Sequence, residues 1–159
     1  MQNKNIPQEK WKVIKTIGLL HKANEWNAKV VVLDGRELDP NKQTFWGEIE
    51  QQLNGKIEKL DGQVPHGAIQ LKQVLEKHEP LLILIDEAMH YIDNAKAIKV
   101  EGETLANLTV NWFQELTTAV SGLEKVCVVF SLPASSNEYG YNEESIKLFS
   151  RLEKITGRV

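Results

Sequence analysis

Only one cysteine, Cys127, occurs in the 159 residues, so no disulfide can form within the chain and nothing points to an oxidising compartment. It lies in an apolar run and reads as a small buried hydrophobe. A basic excess is also missing. Nineteen Lys and Arg face 22 Asp and Glu, for a formal charge of -3. A chain that grips nucleic acid by itself usually carries surplus cations. Strong non-specific DNA binding by the chain alone is therefore not expected, although a place in a DNA-acting complex remains compatible. No apolar run approaches the roughly 20 residues of a membrane span, and the first residues are polar with no signal-peptide core. These absences lead to the expectation of a cytoplasmic protein with no membrane partner. Repeats, low-complexity tracts and linkers are lacking too, so residues 1–159 read as one domain large enough to bury a core.

What is present alternates between short continuous apolar runs and helical stripes, the pattern of an α/β domain. A first helix is expected over residues 7–26, with Pro7 in its opening turn. Residues 29–34 (Lys-Val-Val-Val-Leu-Asp) form a β-branched run closed by Gly35, hence a buried strand and turn. Phe45, Trp46, Ile49 and Leu53 mark a short helix ended by Gly55. Residues 62–67 read as a loop, and residues 69–78 as a helix stopped by Pro80. A second strand at 81–85 is followed by a helical turn near 88–94 and an exposed polar loop at 96–103. Leu105, Leu108, Thr109, Trp112, Phe113, Leu116 and Val120 recur at three- and four-residue steps, forming the clearest helix. Residues 126–132 make a third strand. A turn-rich stretch at 133–141 then leads to a last helix at 143–156, capped by Asn142.

Three apolar strands separated by helices imply a parallel sheet with right-handed crossovers and helices on both faces, a three-layer α/β fold. Ligands of such sheets sit beyond the carboxyl ends of the strands, so the polar residues there are the ones to weigh. Asp86 and Glu87 follow the apolar run Leu81–Ile85 directly, which is the Walker B pattern of P-loop NTPases. There the aspartate holds Mg²⁺, a hard cation that prefers oxygen ligands, and the next glutamate polarises the attacking water. The competing reading is a strand tip followed by an acidic helix start. Ser131 ends the third strand, where a serine is either a turn signal or a polar contact to the same ligand. His21 and His90 belong to no His/Cys cluster and read as surface or packing residues. Arg36 reads as a solvated loop arginine, with a phosphate or a neighbouring subunit as the alternative.

The run Leu33-Asp34-Gly35-Arg36-Glu37-Leu38-Asp39-Pro40 and then Trp46-Gly47-Glu48 with Leu53 resemble consecutive landmarks of one family. Leu82 to Glu87, Ser131-Leu132-Pro133-Ala134-Ser135 and Glu138-Tyr139-Gly140 are similar to its later landmarks, in the same order. The family is that of large prokaryotic AAA+-like ATPases carrying a domain of otherwise unknown function, often encoded beside DNA methylases and helicases in phage-defence clusters. The resemblance covers residues 29–140. It implies binding and hydrolysis of ATP with Mg²⁺. Asp86 would be the magnesium-associated carboxylate, Glu87 the catalytic glutamate and Ser131 the sensor-1 residue.

One departure from that family is large. No Gly-x-x-x-x-Gly-Lys-[Ser/Thr] occurs in the chain, although phosphates need the backbone N–H groups of such a loop and its lysine. Lys15-Thr16 follows the bulky run Trp11-Lys12-Val13-Ile14, which cannot form a phosphate nest. An apolar strand before the first helix is missing as well, and in related sheets it lies beside the Ser131 strand. The expectation is an incomplete P-loop NTPase core that does not hydrolyse ATP alone. Val126–Phe130 would then be a bare edge, covered by a missing ATPase portion, a homo-oligomer mate or a partner chain. A non-catalytic scaffold on the same fold is the alternative. A Mg²⁺-dependent hydrolase on a flavodoxin-like sheet, using Asp34 as a further carboxylate, is a third reading.

Overall fold

A computed structural model describes residues 23–132 and 142–156. The helix expected over 7–26 lies outside them except for residues 23–26, of which 23–25 are helical and Trp26 is in a turn. The turn-rich stretch 133–141, with Lys15, Thr16 and His21, falls outside altogether.

In chain order the elements are β1 (Lys29–Asp34), α1 (Phe45–Asn54), α2 (Ala68–Leu75), β2 (Leu81–Asp86) and α3 (Ala88–Asn94). They are followed by β3 (Lys99–Val100), β4 (Glu103–Thr104), α4 (Leu105–Ser121), β5 (Val126–Phe130) and α5 (Glu143–Thr156). The three longer strands form one parallel sheet in the order β1-β2-β5. Each is a continuous apolar run because a parallel strand is apolar on both faces. The register sets Asp34 beside Asp86 and Ile85 beside Phe130, so the three strands end within one residue of each other.

Side chains alternate across the sheet. Val31, Leu33, Leu81, Ile83 and Ile85 point into the main core, which all five helices enter from the same side. Its centre is aromatic: Phe45 stacks on Trp112 at 6.0 Å and meets Phe113 edge-on at 5.8 Å. The opposite face carries Val30, Val32, Leu82, Leu84 and Val129, and there the covering described residue is Ala23. Among the described residues the architecture is thus a mixed α/β fold with one helical layer on a three-stranded parallel sheet. Of the helix expected on the other face, only residues 23–25 are described as helical.

The two edges of the sheet differ. On the β1 edge the amide of Gln52 imitates a neighbouring strand, accepting the N–H of Val32 at 3.0 Å and donating to its carbonyl at 2.8 Å. On the other edge, β5 pairs with no strand beyond β2 among the described residues. Cys127 on that strand is not the buried hydrophobe expected. It is exposed, because it alternates with Val126 and Val128 and so points to the face opposite the main core, which the described residues cover sparsely.

Local signals explain most element ends. Thr44 accepts the N–H of Gly47 at the start of α1, and Gly55 ends that helix with φ 76. Thr104 caps α4 by accepting from Asn107, and Asn142 caps α5 through the Ser145 N–H at 3.0 Å. The helix expected over 69–78 tightens into a 3-10 turn at Glu76–His78 before Pro80, as the residue preceding a proline avoids the α region. The loop expected at 96–103 instead holds a small hairpin of β3 and β4. Glu101 (φ 50) and Gly102 (φ 91) supply the two left-handed residues that a tight hairpin turn requires.

Candidate functional site

The carboxyl ends of β1, β2 and β5 bring four polar residues together. Asp86 is the last residue of β2, half-buried after five buried ones. Glu87 follows in the left-handed region (φ 52, ψ 36), so the chain passes from strand into α3 through one residue. Such a conformation costs a non-glycine residue about 1–2 kcal/mol, and the surroundings fix it. The Gly35 N–H donates to the Asp86 carbonyl at 2.9 Å. A Cβ on Gly35 would stand 2.1 Å from the Glu87 carbonyl oxygen. Residue 35 is therefore glycine for lack of space.

Ser131 continues the ladder by donating its N–H to the Ile85 carbonyl at 2.9 Å. Its hydroxyl donates to Asp86 Oδ1 and accepts the Glu87 N–H at 3.2 Å. That same N–H lies 3.0 Å from Asp86 Oδ1. Asp86, Glu87 and Ser131 thus form one network across two adjacent strands. Both contacts to the aspartate use Oδ1, and among the described residues Oδ2 makes no hydrogen bond. That oxygen and the Glu87 carboxylate are the hard donors a divalent cation would use.

Arg36 takes a part that the sequence did not reveal. Its Nη2 lies 2.8 Å from Glu87 Oε1, with the two side chains 54% and 24% exposed. Its backbone N–H donates to Asp34 Oδ1 at 2.9 Å, so Asp34 closes the turn that carries the guanidinium. The sequence placed Arg36 just past a strand end and read it as a solvated loop arginine, with a phosphate or a neighbouring subunit as the alternative, whereas its partner is Glu87. His90 is exposed on α3, and among the described residues no group of three or more His, Cys, Asp or Glu could hold a metal. Asp86 and Glu87 would therefore need ligand or water oxygens to complete a coordination sphere.

Behind the tip, Tyr91 of α3 packs under Gly35 and donates its hydroxyl to the Gln43 carbonyl at 2.7 Å. Burial, then the Asp39 carboxylate, pushes its pKa well up, so it stays protonated. A hollow of about 770 Å³ lies at the opposite ends of the strands, lined by Trp26, Pro80, Leu81, Val126 and Cys127 among others. It contains none of the polar tip residues.

Sheet and tip together define a parallel α/β domain with consecutive carboxylates and a hydroxyl at the carboxyl edge of its strands. The chain belongs to the DUF499 N-terminal domain family, whose family model matches residues 12–157. No curated protein and no solved structure matches it. No helix among the described residues is long and apolar enough to cross a membrane.

Proposed function

We propose that the chain is a portion of an AAA+-like ATPase domain, the part that carries the Walker B strand and sensor 1, and that it does not hydrolyse ATP by itself. One observation carries this reading. The Ser131 hydroxyl, the Asp86 carboxylate and the Glu87 amide are hydrogen-bonded across neighbouring parallel strand tips. A lone acidic helix start would need no serine on the next strand. Asp86 would hold Mg²⁺, Glu87 would orient the attacking water and Ser131 would sense the phosphate end.

The donor set suits the cation and not the phosphates. Hard oxygens are present, while the glycine-rich loop and its lysine are absent from the sequence. ATP would therefore be gripped at one end only. Titration calorimetry with Mg·ATP, paired with a phosphate-release assay, tests this. The expected result is affinity weaker than micromolar and no turnover, and micromolar binding with steady phosphate release would refute it.

Among the described residues β5 has no strand on its outer edge, which supports a partner. A missing ATPase portion, a homo-oligomer mate or another chain would cover it, because an unpaired apolar strand invites pairing. DNA would be reached only through such an assembly, in a DNA-processing or phage-defence setting. That same edge, together with the absent loop, favours one second reading, a non-catalytic scaffold. On that reading Glu87→Gln leaves biological activity intact, and loss of activity in that variant would exclude it.

A further inference from the structure

The two edges of the sheet are finished differently. Odd-numbered residues of β1 face β2, as the N–H of Lys29 donates to the Pro80 carbonyl and that of Gly35 to the Asp86 carbonyl. Alternate residues of a strand send their peptide groups to opposite sides, so Val30, Val32 and Asp34 turn theirs outward. The Asp34 carbonyl accepts the N–H groups of Glu37 and Leu38 at 3.0 and 3.3 Å. Val32, at the middle of that edge, is held at both its N–H and its carbonyl by Gln52. A carboxamide can do this because it carries an acceptor and a donor side by side, as a peptide does, whereas a carboxylate only accepts and an ammonium only donates. On β5 the same alternation turns Val126, Val128 and Phe130 outward, since Lys125 and Ser131 bond to β2. Among the described residues no strand stands against them.

We infer that Gln52 closes the β1 edge against pairing with a second copy of this chain. The strand itself carries little protection. Between Lys29 and Asp34 it reads Val-Val-Val-Leu, with no charge and no proline, and an edge of that composition is a template for another strand. Lys29 stands at its start and is engaged with His78 at 2.6 Å. Closure must then come from outside the strand, and α1 supplies it. The buried residues Phe45 and Ile49 anchor that helix, and Gln52 lies three residues on, the next position of the same stripe. An open edge would meet the like edge of a second copy, the self-complementary arrangement that closes on itself as a dimer. With Gln52 in place, β5 is left as the edge a partner strand can reach. None of this depends on what the strand tips bind.

Gln52 is exposed on α1, and alanine suits an exposed helix position, so Gln52→Ala is expected to fold. Amide hydrogen exchange followed by NMR, with sedimentation velocity, would be run on the whole chain across a concentration series. At the lowest concentration the Val32 N–H of Gln52→Ala should exchange roughly two- to tenfold faster than in wild type, the range set by one hydrogen bond. As concentration rises, the variant should associate more than wild type, with protection returning at Val30 and Val32. Pairing through β5 is common to both proteins and protects Val126, Val128 and Phe130 instead. Gln52→Glu keeps an acceptor for the Val32 N–H and adds a charge at the edge, so it should associate no more than wild type. Unchanged Val32 exchange in Gln52→Ala, no added association, or added association protected at β5 would overturn the inference. So would Gln52→Glu pairing as readily as Gln52→Ala.

Discussion

Replacing Gly35 with alanine tests how tightly the strand tips are fitted together. The added Cβ would lie 2.1 Å from the Glu87 carbonyl oxygen, 2.9 Å from its carbon and 3.2 Å from the Tyr91 Cβ. Close carbon–oxygen contacts begin near 3.3 Å, so the two segments must part by about 1 Å. Neither yields easily. Gly35 donates to the Asp86 carbonyl at 2.9 Å, and α3 behind Glu87 is anchored by buried Ala88, Met89, Tyr91 and Ile92. Overpacking of this kind costs about 1–3 kcal/mol, and a weakened hydrogen bond adds about 1 kcal/mol. Gly35→Ala should therefore lose about 2–4 kcal/mol in urea unfolding, with amide shifts concentrated at Arg36, Glu87 and Ser131. The sign is informative, because Gly35 is not among the glycines at positive φ. In an open loop the same change would stabilise by about 0.4–1 kcal/mol through the unfolded chain. Gly55→Ala is the control, since Gly55 has φ 76 and nothing within 4 Å. It should lose about 1–2 kcal/mol from backbone strain alone. A Gly35→Ala protein as stable as wild type would refute the packing described for the tip.

Other positions give independent checks. Glu50 is 1% exposed and accepts the N–H groups of Glu58, Lys59 and Leu60. Burial pushes its carboxyl up, and those amides outweigh it, holding the pKa below the ordinary 4.5. Glu50→Gln should cost about 2–3 kcal/mol at neutral pH. A lowered folded pKa contributes stability that is present above the unfolded value and lost as pH falls through the folded one, so this gap should close in urea melts below about pH 4.5. Thr104→Ala removes the cap on α4 and should cost about 1 kcal/mol, with faster hydrogen exchange confined to its first turn. Cys127 should react with a maleimide in the folded chain about as fast as in urea, and strong protection would contradict its exposure on the face opposite the main core.

Which features were legible in the sequence follows from the range of the interaction that sets them. The strands, the α4 stripe, the Gly55 stop and the Asn142 cap depend on neighbours within a few residues, and all were readable. Asp86, Glu87 and Ser131 could be named because an apolar run has one end, and in a parallel sheet those ends align. The Arg36–Glu87 pair depends on β1 and β2 lying in register with Asp34 beside Asp86, which no local pattern encodes. Cys127 was misread because an apolar run does not say how completely each face of its strand is covered. The β3–β4 hairpin was missed because two-residue strands have no period. Glu50 shows the same limit, since a carboxylate held by three amides from a later loop looks in sequence like any solvated helix charge.

The central claim is that the strand tips are the cation half of a nucleotide site. Amide-resolved NMR during titration with Mg·ATP to millimolar concentration, with phosphate release followed in the same samples, tests it most directly. The expected result is weak, saturable shifts confined to Gly35, Arg36, Asp86, Glu87 and Ser131, with no phosphate released. Shifts centred elsewhere, no shifts at these residues, or micromolar saturation with turnover would each contradict it.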